Sequence, residues 1–183
     1  DHEERRRAIA SAAVDAIAAR GLASVKLVDI ARSAGVTTGA VAHYYADKSA
    51  CLAAALEEAC TRRFLKSDMP AGPPTLDEIA GALPITREKQ AEWRVWLAYW
   101  GRAPQVPALL EIHQQYYEEI EAAVADDLEG YHPVPRVAAA AIIAAVDGIG
   151  ARATLEPDLW PPTRQRELLD VLIGPLLGSL DAP

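Results

Sequence analysis

Thr37 and Thr38 stand where the residue pattern begins a short helix over 38–45. The first backbone N–H groups of a helix have no intrahelical partner, so such a start favours an anion such as a phosphate. Either threonine could equally be a simple helix cap, and one hydroxyl can do both. Gly39 and Ala40 present almost no side chain, which allows close approach, and Ala40 can touch a thymine methyl. His43 is the donor left on this segment for a base edge or a phosphate, with plain solvent exposure as the alternative, and Tyr44 adds a hydroxyl. Lys48 begins the next helix, where the dipole disfavours a cation unless a phosphate is near; Lys26 offers another ammonium. Groups of this kind suit a double-stranded DNA operator, held mostly by its backbone.

Those residues need a scaffold, and the stretch 27–46, LVDIARSAGVTTGAVAHYYA, predicts one. Ile30, Ala34, Val36, Val41 and Tyr44 fall where two short, steeply crossing helices would share a small core. Ala31 suits their closest approach, and Gly35 can take the left-handed conformation of a tight turn. A helix-turn-helix so built carries the first residues of its second helix into the major groove. A plain helical hairpin would share the same periodicity. Upstream, Ile9, Ala12, Ala13, Ala16 and Ile17 mark one face of a bracing helix over 3–20, ended by Gly21. Asp47 can cap a fourth helix carrying Leu52, Leu56, Ala59 and Arg63. We therefore expect an all-α protein: a three-helix DNA-binding head over 1–48, and a larger body over 49–183 whose helix 49–66 is the link.

Charge divides at the end of the link helix. The chain carries a net charge of −8, yet residues 1–66 sum to +2 and 67–183 to −10. A basic-leaning head on an acidic body would be steered head-first toward phosphates, with binding that weakens in salt. No uninterrupted apolar run reaches the roughly 20 residues of a membrane span, and no signal-peptide pattern follows the arginines, so we expect no membrane and a cytoplasmic address. Arg5, Arg6 and Arg7 suit either a DNA backbone contact or a solvated face; no methionine precedes Asp1, which leaves an upstream arm open. Cys51 and Cys60 fall on opposite faces of one helix, cannot bridge each other, and are expected to fill core. The histidines lack metal-ligand spacing, and no phosphate loop or nucleophile elbow occurs, so neither metal, cofactor nor catalytic residue is expected.

In the body, a break at Met69–Pro74 precedes a short helix over 75–82 and a longer one with Trp93, Trp96, Leu97 and Trp100 facing inward. After Pro104 and Pro107, a helix buries Leu109, Ile112, His113, Tyr116 and Ile120 and solvates Glu118, Glu119 and Glu121. Two further helices, 137–154 rich in alanine and 163–180 with Leu169, Leu172, Ile173, Leu176 and Leu180, are expected to pair with their twofold mates as a homodimer. Gly174 and Pro175 predict a kink, or a stop at Ile173. Trp96, Trp100, His113, Tyr116, Tyr117 and Asp147 have the composition of a pocket for a small cationic or amphipathic molecule. The same stripe also suits an ordinary core with satisfied polar groups.

The head resembles the TetR family of one-component repressors, from about Ile9 to Leu56 and most closely in DIARSAGVTTGAVAHYYADKSACL. The resemblance rests on Asp29-Ile30-Ala31, on Ala34-Gly35-Val36-Thr37, and on Tyr44 and Tyr45 ahead of Lys48. It implies an all-helical homodimer whose body binds an effector that alters the spacing of two heads. Two positions depart from the family pattern: Lys26 stands where relatives often cap with Ser or Thr, and Ala42 where many hold a phosphate with Tyr, a role that passes to His43 or Tyr44. The body resembles the BetI-like branch through EWRVWLAYWGRA, the Tyr116-Tyr117 pair and AAVDGIGARATLEP, which bears on fold and dimer geometry rather than on the effector.

We thus expect a ligand-responsive repressor that binds a near-palindromic operator as a dimer and leaves it when a small-molecule effector binds. The competing expectation is a helical small-molecule binding or scaffolding protein without sequence-specific DNA binding. An enzyme ranks third, because His113 and Asp147 have no nucleophile or metal to work with.

Overall fold

The computed structural model describes residues 2–64 and 73–178, with the side chains of 60–64 excepted. Cys60, Arg63, the 69–72 part of the expected break and Leu180 lie outside what is described. Among the described residues all regular structure is helical: α1 His2–Arg20, α2 Leu27–Ser33, α3 Thr38–Tyr44, α4 Lys48–Phe64, α5 Leu76–Ala80, α6 Arg87–Trp100, α7 Pro107–Leu128, α8 Pro135–Leu155 and α9 Pro162–Gly178, with a 3-10 turn at Ala103–Gln105. The described residues fall into two compact units, one within Asp1–Leu65 and Arg94–Gln114, the other within Lys66–Trp93 and Gln115–Pro183.

In the first unit, α1 packs on both α2 and α4. It therefore buries Ala10 and Val14 as well as Ile9, Ala12, Ala13, Ala16 and Ile17, a wider face than one neighbour would require. Each isoleucine so buried is worth about 1.5–3 kcal/mol. Gly21, with φ +79°, ends α1 and donates its N–H to the Ile17 carbonyl at 2.7 Å. Asp47 caps α4, its Oδ1 accepting from the Ala50 N–H at 2.8 Å, and Cys51, Ala54, Ala55 and Leu56 complete the core from that helix. Burial pushes the Cys51 thiol up to about 11, as befits a core filler.

In the second unit, Thr75 and Glu78 form a reciprocal capping box at the start of α5. Trp93 on α6 is fully buried; its indole N–H donates to the Ala82 carbonyl at 2.8 Å, and its ring lies where a Cβ on Gly150 would come within 2.1 Å of it. The glycine in α8 is thus the seat of the tryptophan. At the α8–α9 corner, buried Trp160 donates its Nε1–H to Glu156 at 3.0 Å and lies under the guanidinium groups of Arg152, 5.0 Å away, and Arg164, 4.5 Å away. Hydrogen bonds from Arg152 and Trp160 hold the Glu156 carboxyl below its usual range.

Helix α9 continues through Pro175 to Gly178, so the chain does not stop at Ile173. The proline gives up its own N–H bond to the preceding turn, and its place in the last turn of α9 limits the disruption to that turn. Leu169 and Ile173 are buried as expected, but Leu172 is 48% exposed, because the inward face of α9 is narrower than its leucine content suggests. Helix α8 is long and apolar enough to cross a membrane by length and composition, with 44% of that window buried. Its inner face, Ala138, Ala139, Ile142, Ile143, Val146 and Ile149, is core. Its outer face is largely apolar, with Val137, Ala141, Ala144, Gly148 and Leu155 exposed at helical spacing and Arg152 as the charged member of the row, and α9 exposes Val171 and Leu172.

Candidate nucleic-acid interface and aromatic cluster

The turn between α2 and α3 is made as its residues dictate. Gly35 takes φ +65°, Ala31 is buried, and Ile30 and Val41 are fully buried between the helices. Ala34 and Val36 are half-buried. The core aromatic is Tyr45, at 4% exposure, whereas Tyr44 stays half-exposed at the surface. Tyr45 also does what Phe could not: its hydroxyl donates to the Arg6 carbonyl at 2.8 Å, and the Arg6 guanidinium sits 5.4 Å from its ring centre.

Thr37 caps α3, its Oγ1 accepting from the Ala40 N–H at 3.1 Å, so the capping role is filled while Thr37, Thr38 and Gly39 remain exposed. Lys26 contributes no side-chain cap to α2; Asp29 supplies the reciprocal half instead, accepting the Lys26 N–H at 2.9 Å. Asp29 in turn is held by Arg20 at 3.3 Å. The ammonium of Lys26 is exposed, that of Lys48 is half-buried, and neither forms an ion pair with a described carboxylate. Arg6 and Arg7 are engaged within the head, by Glu3 at 3.9 Å and Glu58 at 3.6 Å respectively, which leaves Arg5 exposed. Thr38, Gly39, Ala40, His43 and Tyr44 thus belong to α3 with Thr37 as its N-cap, while Lys26 is the N-cap of α2 and Lys48 the first residue of α4.

The expected pocket residues divide between the two units. In the first, Trp96, Trp100 and His113 form one aromatic cluster: the Trp96 and His113 rings stack with centroids 6.0 Å apart, and Trp100 lies 6.2 Å from Trp96 and 6.4 Å from His113. The Trp100 indole N–H is buried and meets no acceptor among the described residues. Between these tryptophans on α6, buried Tyr99 donates its hydroxyl to the Leu52 carbonyl on α4. Tyr99 escaped the sequence reading, since a backbone carbonyl partner leaves no trace in residue types. In the second unit, Tyr116 and Tyr117 pack edge to face at 5.4 Å, and the Tyr117 hydroxyl donates to Asp147 at 2.5 Å. Asp147 is thus a hydrogen-bonded carboxylate. No group of three or more His, Cys, Asp or Glu able to hold a metal occurs among the described residues.

An all-helical chain with this head has the architecture of a helix-turn-helix transcriptional regulator. Residues 9–55 match the model for bacterial regulatory proteins of the tetR family, and residues 78–178 match the BetI-type transcriptional repressor C-terminal domain. The chain belongs to the TetR family, a family of transcriptional regulators rather than of enzymes, with a BetI-type C-terminal domain. The HTH-type transcriptional regulator BetI of Escherichia coli strain K12 is 27% identical, over 90% of this chain and 89% of that protein. A transcriptional regulator from Rhodococcus sp. Rha1 superposes with a TM-score of 0.86 at 28% identity, covering 97% of this chain and 98% of the other. A transcriptional regulator from Saccharomonospora viridis, solved in complex with choline, shares the fold with a TM-score of 0.76 at 21% identity, over 95% and 97% of the two chains.

Proposed function

We propose that this regulator binds a near-palindromic operator as a homodimer in the cytoplasm and is released from it by a small cationic effector. The observation that carries the DNA half is the exposed surface of α3, with its cap satisfied and the Lys26 and Lys48 ammonium groups left without carboxylate partners. Residues 1–48 form the DNA-binding domain, 49–183 the effector and dimerisation domain, and α4 links them. Thr37, Thr38, Lys26 and Lys48 meet phosphates, Gly39 and Ala40 permit close approach, and His43 and Tyr44 stand in for the tyrosine that Ala42 lacks.

The apolar outer stripe of α8, together with Val171 and Leu172 on α9, supports dimerisation through 137–154 and 163–180. Two heads so joined address half-sites about 34 Å apart or slightly more. For the effector, the Trp96–Trp100–His113 cluster offers π faces for a cation and an idle indole donor for an acceptor oxygen. The choline held by the S. viridis relative agrees with that chemistry. In the other unit, the Tyr117–Asp147 pair is a separate polar group that suits a cation by its own chemistry. Release follows by population shift: the effector favours the head spacing that fits DNA poorly, so operator and effector oppose each other's binding.

Fluorescence anisotropy with a duplex enriched by the protein from a randomised pool tests this reading. Choline should displace the protein from that duplex, and Lys48→Ala should weaken binding and lower the salt slope by about 1 for each head. An unchanged slope, with no displacement by choline or other small cations, would reject it.

A further inference from the structure

The first turn of α1 is fastened to the far end of the reading helix. The Tyr45 hydroxyl bonds the Arg6 carbonyl, and three rings meet beside it: His2 lies 4.8 Å from Tyr44, His43 lies 5.2 Å from Tyr44, and the two imidazoles are 6.3 Å apart. Both histidines are exposed. His2 belongs to no predicted site; only the fold brings it to His43.

We propose that His2 and His43 act as a phosphate-facing imidazole pair that takes up protons when duplex DNA binds, so that operator affinity rises as pH falls. The inference rests on the head being a DNA-binding surface, and it adds a contact residue and a pH dependence to that surface. Imidazole is the side chain that gains its charge between about pH 5 and 8. Two imidazolium groups at this separation repel in the free head. A duplex phosphate beside them offsets that repulsion and favours the doubly charged pair. Around the pair stand Glu3 and Arg6 on α1 and the Tyr44 phenol on α3, and the surface beside Tyr45 adds Glu4 and Arg7 from α1 and Glu57 and Glu58 from α4. Glu3 Oε1 lies 3.6 Å from His2 Nδ1, while Arg6 lies 3.9 Å from the same carboxylate and shares its charge. Protons bound more tightly in the complex than in the free protein make acid strengthen the complex, by linkage.

The test measures anisotropy of the pool-enriched duplex at about pH 6 and about pH 8, across roughly 50–200 mM salt. At one added cation per head, the salt slope of the dimer should steepen by about 2 at the lower pH, with affinity up about tenfold or more. In the double variant His2→Gln, His43→Gln the ratio of affinities at the two pH values should fall toward one. Calorimetry of the unaltered protein in two buffers of different ionisation enthalpy should show net proton uptake on binding. Zero uptake, or a pH ratio that survives in the double variant, would overturn the pair. Failure to bind any duplex at either pH would instead overturn the DNA-binding reading beneath it.

Discussion

Tyr45 and Cys51 are neighbours in the core of the head, and each holds its proton more tightly there than in water. Burial pushes the Tyr45 phenol up to about 12, reinforced by Cys51, and burial alone pushes the Cys51 thiol up to about 11. The unfolded chain ionises these groups near their ordinary values, 9.0 for the thiol and 10.0 for the phenol. The stability they contribute is therefore complete below about pH 9 and drains away as pH rises through 9 to 12. Denaturant titrations followed by helical circular dichroism should show that decline, and Tyr45→Phe should make it shallower above pH 10. A stability independent of pH up to 12 would contradict the assignment. At this scale the sequence reading assigns Tyr44 to the core, and the structure buries Tyr45 in its place. Adjacent helical residues point about 100° apart, and a small core that fits an aromatic at one site nearly fits it at the other. The Arg6 carbonyl that decides between them is distant in the chain.

Among the elements, α8 and α6 depend on a glycine and a tryptophan that meet at close range. Gly150→Ala places a methyl against the Trp93 ring, and Trp93 is tied to Ala82, so neither side yields freely. We expect a loss of about 1–3 kcal/mol, seen as a lower Tm, and a smaller loss from the same change when Trp93 is already shortened, the two substitutions being non-additive. The element boundaries were legible because caps and glycines announce them: Thr37, Asp47, Gly21 and Gly35 all act as their types predict. The cross-links between elements were not. The Tyr99 hydroxyl joins α6 to α4 inside the unit that also holds α3, so the aromatic cluster has a direct hold on α4. Tyr99→Phe should leave effector affinity within about threefold while reducing the effector's power to displace DNA, measured as the change in operator affinity at saturating choline; an unaltered coupling would exclude this route.

On the scale of the whole molecule, a weakly positive head and a strongly negative body give one end of the chain to phosphates. The body keeps an apolar outer stripe on α8, Val137 and Leu155 at 67% and 73% exposure, which water alone does not favour. The sequence reading expects the alanine-rich helix to pair with a twofold mate, although composition could not say which residues the single chain leaves uncovered. Twofold pairing through it makes a prediction about DNA that neither head makes alone. Sequencing the duplexes that the protein enriches from a randomised pool is the most direct measurement. Our account predicts an inverted repeat with half-sites about one turn apart or slightly more, and its loss, together with a shift to monomer in sedimentation equilibrium, in Val137→Glu, Leu155→Glu. Enrichment of no duplex at low salt, or of one unrepeated half-site that the double variant binds equally well, would contradict it.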